Sequence, residues 1–526
     1  MTSPTDYTSW TNADLIARVT HLENQLRTQT LSHHHTPPQK KKNPPKKPSK
    51  PFDPSRYNTR LIALKFAYLG GNYNGFEHHN NNTTPLPTIE EELWKALNKT
   101  KLIFPEYKVG ESGGGDVSWE GVEYSKCGRT DRGVSAFGQV IGLRVRSSRP
   151  KEKEKVEVNV VVEEEESVGS DAEVEVEEKE KEWDHIRDEL PYIQLLNRVL
   201  PPDIRVLAWC ADPPEDFSAR FNCKERRYRY FFTNPAFVPL PGCKHKSENE
   251  RPGEGWLDIE AMDQAAKKYE GLHDFRNLCK VDPSKQIADF SRRIFHAGIH
   301  EVQSQGGSVV DPSSPKLFYF EVRGSAFLWH QVRHLVAVLF LVGQGYESPS
   351  IVDELLDIGK TPAKPHYEMA SDIPLVLWDC IFPSAEEPSY TDALDWIYVG
   401  DDIGGRDPAK RSTTGVEDGK YGRNGIMDEL WALWRQRKMD EVLARSLMDV
   451  VASSGHQPDA AKLSSAVLAE KSARLYDGGP VPRTVGPYTP LMQRERMETP
   501  EVVNARYAAR KGLDRNSQPT PTSMNR

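Results

Sequence analysis

No apolar run in this sequence approaches the roughly 20 residues that a helix needs to span a bilayer. The longest, Leu335–Val342, has eight residues and follows His330, Arg333 and His334, so it reads as a buried helix. The N-terminal residues are polar and lack the apolar stretch of a signal peptide, which points away from secretion. Cysteine is sparse. The six residues Cys127, Cys210, Cys223, Cys243, Cys279 and Cys380 are scattered and form no Cys-x-x-Cys pair. That argues against a disulfide framework or a cysteine zinc site and suits a reducing compartment. Neither a Gly-x-x-x-x-Gly-Lys-Ser/Thr loop nor a Gly-x-Gly-x-x-Gly fingerprint occurs, so nucleotide binding has no local support. A Gly-x-Ser-x-Gly elbow is also missing.

What is present is a chain too long for one core, with 526 residues, 37% hydrophobic and 28% charged. Its net charge of -8 is local in origin: residues 151–182 hold 14 acidic and 5 basic residues, which leaves the remainder near +1. A near-neutral remainder is free to carry one strongly basic face. The valines of that acidic segment alternate with glutamates, but the glutamate density favours a disordered surface insertion, about 149–182, over a strand.

Residues 11–28 carry Leu15, Val19, Leu22 and Leu26 at coiled-coil spacing behind Thr11 as N-cap, and read either as a short pairing helix or as a marginal amphipathic one. Residues 37–50 combine proline with lysine, which predicts an extended linker: an import signal, an RNA-binding arm or a soluble spacer. Strand-like alternation begins at Arg60 and runs through Tyr68. Thr88-Ile89-Glu90-Glu91 then forms a capping box for a helix to about Lys99. Strands are expected at 117–124, 136–146, 204–209, 225–233, 293–302, 317–322 and 375–381. Helices are expected at 190–199, from Ile259 to a stop at Gly271, at 327–342 and at 351–356. Beyond Phe382 the chain turns polar, residues 404–423 look disordered, and Leu430 to Leu447 suggest a helix or helical hairpin. The fold class is α+β: two similar α/β halves around a basic cleft, with helical and disordered extensions. The expected divisions are 1–58 (helix and linker), 59–235 (first half), 236–384 (second half) and 385–526 (extension).

Three segments carry candidate chemistry. In Cys127-Gly128-Arg129-Thr130-Asp131-Arg132-Gly133, one carboxylate sits between two arginines in a glycine-framed loop. An aspartate beside guanidinium groups stays ionised, which suits a nucleophile or electrostatic stabiliser; the plain alternative is a turn aspartate with ordinary ion pairs. In Lys224–Tyr230, basic residues interleave with aromatics, with Arg226, Tyr228 and Tyr230 on one strand face and Arg227 and Arg229 on the other. That pattern fits phosphate contact with base stacking, or a solvated edge strand. Arg333 is charged on a helix that otherwise reads as buried, which implies a carboxylate partner. His330 and His334, four apart, have no further nominated ligands, so a structural role is the better reading than metal binding.

Together these segments resemble the TruA family of tRNA pseudouridine synthases. Gly128–Ala136 meets the core pattern Gly-Arg-Thr-Asp-x-Gly-Val-x-Ala. Arg220-Phe221 with Arg226–Tyr230, Phe327–Arg333 and Tyr68–Phe76 resemble the family's other motifs, in order across residues 60–382. Arg132 and Ser135 depart from the usual bacterial pattern. His273–Lys280 and Lys364–Leu375 resemble the eukaryotic branch that modifies tRNA positions 38 and 39. The resemblance implies the pseudouridine synthase fold, with ferredoxin-like halves. It implies isomerisation of uridine in the anticodon arm of tRNA, without a cofactor or metal. Asp131 would be the nucleophile, Tyr228 would stack on the flipped uracil and assist proton removal, and Arg333 would pair with Asp131. Arg129, Arg132, Arg220 and Arg226 would bind substrate. A nuclear or cytoplasmic location, no membrane partner and a homodimer accord with it. A non-catalytic RNA-binding or scaffold protein that keeps the fold is the rival reading.

Overall fold

Branched and aromatic side chains along Asn58–Tyr68 favour an extended strand, and both faces of that strand are covered: Ile62, Ala63, Leu64, Phe66 and Tyr68 are all buried. The computed structural model describes residues 52–79, 84–105, 117–151, 183–239, 252–302, 315–383, 393–401, 403, 419–422, 425–455 and 472–512. The expected helix at 11–28, the linker at 37–50, nearly all of the acidic segment and most of 404–423 lie outside these residues. The chain divides into two compact units, Met1–Pro54 and Ser55–Arg526, and the second carries the sheet.

Its strands are β1 (Asn58–Tyr68), β2 (Ser125–Lys126), β3 (Ser135–Ser147), β4 (Ile204–Cys210), β5 (Glu225–Asn234), β6 (Gly271–Asp274), β7 (Ser291–Glu301), β8 (Lys316–Gly324), β9 (Leu375–Ile381) and β10 (Ile397–Tyr398). They form one ten-stranded sheet in the order β10-β4-β1-β3-β9-β5-β8-β7-β6, with β2 paired to β3. Every pairing is antiparallel except β3 with β9, where Ser135 and Ala136 register with Val376 and Leu377. A mixed sheet with helices on it is the α+β class expected.

The helices are α1 (Ile89–Lys99), α2 (Tyr192–Asn197), α3 (Ile259–Lys267), α4 (Gln331–Gly343), α5 (Ile351–Leu356), α6 (Ile426–Ser453) and α7 (Pro500–Lys511). Thr88 caps α1 by accepting from the Glu91 amide, as its capping box predicts. All thirteen residues of α4 are buried, which explains its apolar composition without a membrane. No helix among the described residues is long and apolar enough to cross one. The sheet and helices enclose two hydrophobic cores. One gathers Ile62, Leu93, Leu143, Tyr192 and Val206 with Leu377 and Cys380. The other gathers Tyr230, Phe232, Leu335, Phe340 and Ile351 with Leu375. Each fully buried Leu, Ile or Phe contributes about 1.5–3 kcal/mol relative to exposure.

Two expectations need correction. No strand forms over 117–124: Gly121 and Glu123 adopt left-handed φ values of 77° and 49°, so the chain turns there, and Trp119 stacks on Tyr124. α4 starts at Gln331 rather than Phe327, because His330 is left-handed (φ 57°) and breaks the helical path. The C-terminal region, expected as a partly helical extension, also adds to the second core. Leu475, Tyr476 and Leu491 are buried in the second core, and β11 (Ala473–Leu475) pairs with β12 (Arg483–Val485). The segment 430–447 belongs to one 28-residue helix, α6, which buries only Ile426.

Candidate active site

The loop between β2 and β3 is fixed from several directions. Gln139 braces Gly128, accepting from its amide (3.0 Å) and donating to its carbonyl (2.9 Å). Thr130 shares a buried 2.7 Å hydrogen bond with the Tyr68 hydroxyl, and its carbonyl accepts from the Phe76 amide. Val134 closes the turn by donating to the Asp131 carbonyl, and it inserts into the second core although the loop springs from the first. Two glycines make this packing possible. A Cβ on Gly70 would stand 2.1 Å from the Val134 carbonyl oxygen. One on Gly75, which has φ +89°, would press on Thr130, Asp131 and Arg132.

Asp131 therefore stands on an immobilised backbone with its side chain 28% exposed. Its carboxylate pairs with His330, whose Nε2 lies 3.3 Å from Oδ2. The left-handed backbone at His330 aims the ring out of the helical path towards the loop, where only a tenth of the side chain is exposed. His330 Nδ1 is buried and has no hydrogen-bond partner among the described residues.

Arg333 is buried as expected, but its carboxylate neighbour is Asp372 at 4.0 Å, and its Nε donates to the Ala370 carbonyl at 2.7 Å. Asp372 in turn borders the loop, within 3.2–3.5 Å of where a Cβ on Gly133 would lie. The arginine thus reaches the aspartate loop through Asp372, and the direct partner of Asp131 is His330. Residue pattern alone did not single out His330 for this place, because its position depends on one left-handed φ.

Tyr228 lies on β5 at the seam where the two cores meet, packed against both and edge-on to Phe327 with ring centroids 5.1 Å apart. Burial pushes its hydroxyl up, so it is a neutral phenol at pH 7. The strand alternates as its sequence predicts: Tyr230 packs edge-on to Phe340 on one face. On the other, Arg229 donates to Glu321 (2.7 Å) and stacks over Trp378 (3.9 Å).

The remaining predicted residues separate into two kinds. Arg129, Arg132 and Arg220 are exposed around the loop and the turn before β5. Arg129 is held 3.3 Å from Glu77, and although burial opposes it, Lys126 and Arg129 keep Glu77 below the usual carboxylate range. Arg220 lies over Phe221, itself 70% exposed. Arg226, in contrast, is engaged by the protein. It donates to the carbonyls of Ser325 (2.6 Å), Arg220 (2.8 Å) and Cys127 (3.4 Å), tying the loop to β5 and β8.

The two helix-spaced histidines do not share a site: His330 faces Asp131, whereas His334 meets Lys364 Nζ at 2.9 Å. The fold does bring together Cys127, Cys223 and Cys380, a trio that no local spacing announces. A fixed, ionisable carboxylate, an aromatic platform at the seam and exposed arginines can hold and attack a polyanionic substrate that carries a flat ring.

Residues 265–383 match the family model described as tRNA pseudouridine synthase. The chain is 36% identical to the tRNA pseudouridine(38/39) synthase of Saccharomyces cerevisiae over 516 residues, covering 96% of this chain and 92% of that one. It is 40% identical to the tRNA pseudouridine(38/39) synthase of Homo sapiens over 352 residues, covering 67% of this chain and 60% of that one. Similarity extends to the tRNA pseudouridine synthase A of Methanothrix thermoacetophila, 30% identical over 308 residues, covering 58% of this chain and 76% of that one. The chain belongs to the TruA-type family of tRNA pseudouridine synthases, as its loop and strand motifs imply.

Proposed function

We propose that this protein isomerises uridine to pseudouridine in tRNA, within the anticodon stem-loop at positions 38 and 39. The positions follow those in the names of the yeast and human relatives. The observation that carries the reading is Asp131, a partly exposed carboxylate on a backbone fixed by Tyr68, Gln139 and Phe76, beside the seam where Tyr228 touches both cores. The two cores support a division into two similar halves, with the basic cleft between them lined by Arg129, Arg132 and Arg220.

A uridine inside a helix hides its glycosidic bond, and enzymes that act on bases flip the nucleotide out at a cost of a few kcal/mol. Exposed guanidinium groups hold the phosphates, and the Arg220–Phe221 pair adds an aromatic surface of the kind that stacks on unpaired bases. With the base in the seam, Asp131 attacks or deprotonates at the ribose and the bond from C1′ to N1 breaks. The uracil turns and rejoins through C5, and the proton lost from C5 is balanced by one gained at N1. Tyr228 stacks on the ring as a neutral phenol, while His330 and the Arg333–Asp372 pair hold the loop.

The test is direct. Purified wild type and Asp131→Ala are given unmodified tRNA, and pseudouridine is mapped by chemical adduct formation. Wild type is expected to modify the anticodon stem-loop and the variant to leave it unmodified. Activity in Asp131→Ala would remove the mechanism, and inactivity of both would favour a non-catalytic RNA-binding protein.

A further inference from the structure

Cys127, Cys223 and Cys380 arrive from three distant segments: the entry to the aspartate loop, the turn before β5 and the end of β9. All three are buried, and their Sγ atoms lie within 4.8 Å of one another. Thiolates that share one tetrahedral metal at a Zn–S length of about 2.3 Å sit about 3.8 Å apart. Closing the trio onto an ion therefore needs only side-chain adjustment. A single buried cysteine is adequately explained as a small apolar residue. Three sulfurs converging beside a guanidinium are a different matter.

That guanidinium belongs to Arg226. It is in register with Cys380 across β5 and β9, and it donates to the Cys127 carbonyl. The Glu225 carbonyl oxygen, 3.3 Å from Cys223 Sγ, is an oxygen within reach of a fourth position.

We propose that Cys127, Cys223 and Cys380 form a buried site for a thiophilic d10 metal ion, and that charge balance selects zinc. A dication with three thiolates leaves one negative charge, which Arg226 neutralises; monovalent copper would leave two. Binding releases the three thiol protons to solvent. The ion takes no part in the isomerisation. It fastens the loop that carries Asp131 to the strand that carries Tyr228 and to β9 between the two cores.

The full chain, with His33, His34 and His35 changed to Ala to remove an adventitious ligand, is purified without chelator. Zinc and copper are then measured by inductively coupled plasma mass spectrometry. After chelation under reducing conditions, Co2+ alone is added. The expected result is about one zinc per chain, a thiolate-to-cobalt charge-transfer band, and protection of the three cysteines from alkylation. Cys223→Ser and Cys380→Ser lose the zinc and the band, whereas Cys279→Ser, at a buried cysteine outside the trio, keeps both.

A metal-free chain that gives no band with cobalt and no protection overturns the proposal. So does Cys380→Ser that binds as wild type does, or a disulfide between two of the three. Copper in place of zinc overturns the charge assignment. The zinc content and the cobalt band of the wild-type chain decide the question even where a serine variant fails to fold.

Discussion

His330 Nε2 lies 3.3 Å from the carboxylate of Asp131, and Arg333, one helical turn away, reaches Asp372 instead. If Asp131 reacts as proposed, the histidine is the side chain placed to orient its carboxylate directly. Removing one polar contact to a partly exposed carboxylate costs about 1 kcal/mol, roughly a fivefold change in rate. His330→Ala is expected to slow single-turnover pseudouridine formation by about that factor, with tRNA affinity within about twofold. A wild-type rate in the variant would show that the contact does not position Asp131.

Arg333→Ala is expected to act on stability as well as rate. The substitution removes a buried guanidinium, its bond to the Ala370 carbonyl and its long pairing with the partly exposed Asp372. The loss is about 2 kcal/mol, since the ion pair is weak at 4.0 Å and the carbonyl bond is the larger part. Urea unfolding measures it, and a midpoint unchanged from wild type would contradict this account.

Gly75→Ala places a Cβ 3.1–3.3 Å from Thr130, Asp131 and Arg132 at a backbone angle that alanine resists. The expected cost is about 1–2 kcal/mol of stability, with a larger fall in kcat than in tRNA binding because Asp131 is displaced. Gly71→Ala, where a Cβ meets nothing within 4 Å, is the control and should behave as wild type.

Acid stability depends on His334. Burial chiefly, with Lys364 adding to it, lowers its imidazole to about 2 from 6.5. The folded chain keeps this ring neutral, while the unfolded chain takes up a proton below 6.5. The contribution is present in full above that pH and is lost as pH falls, by about 2 kcal/mol between 6.5 and about 5. His334→Gln, which has no such proton to gain, should flatten the urea midpoint over that range. An equally steep loss in the variant would assign the acid lability elsewhere.

The sequence made some of this legible and hid the rest for identifiable reasons. β9 has the boundaries that its apolar run predicts, and β4, β5 and the capping box of α1 lie where residue pattern puts them. These are local signals. The segment 117–124 failed because Val117 and Val122 are buried, and Trp119 partly so, by a turn rather than a strand, and periodicity cannot see the left-handed Glu123. Asp131 and Tyr228 were readable from their own neighbours. The pairing of Asp131 with His330, and the meeting of Cys127, Cys223 and Cys380, depend on register between strands and helices remote in sequence, which no spacing encodes.

β9 has a consequence for how the molecule is made. It lies between β3 and β5, yet it is residues 375–381, later in the chain than every other strand around the seam. A chain growing from its N-terminus finishes β1, β3 and β4, and then β5, β7 and β8, before the strand that joins them exists. Pairings between segments so distant form slowly, because loop closure precedes the contacts that reward it. Until then β3 and β5 present open edges. The seam is thus assembled only after every other strand around it has been made. A product terminated just before residue 375 would hold Asp131, Tyr228, His330 and Arg333, and would lack the strand that joins β3 to β5.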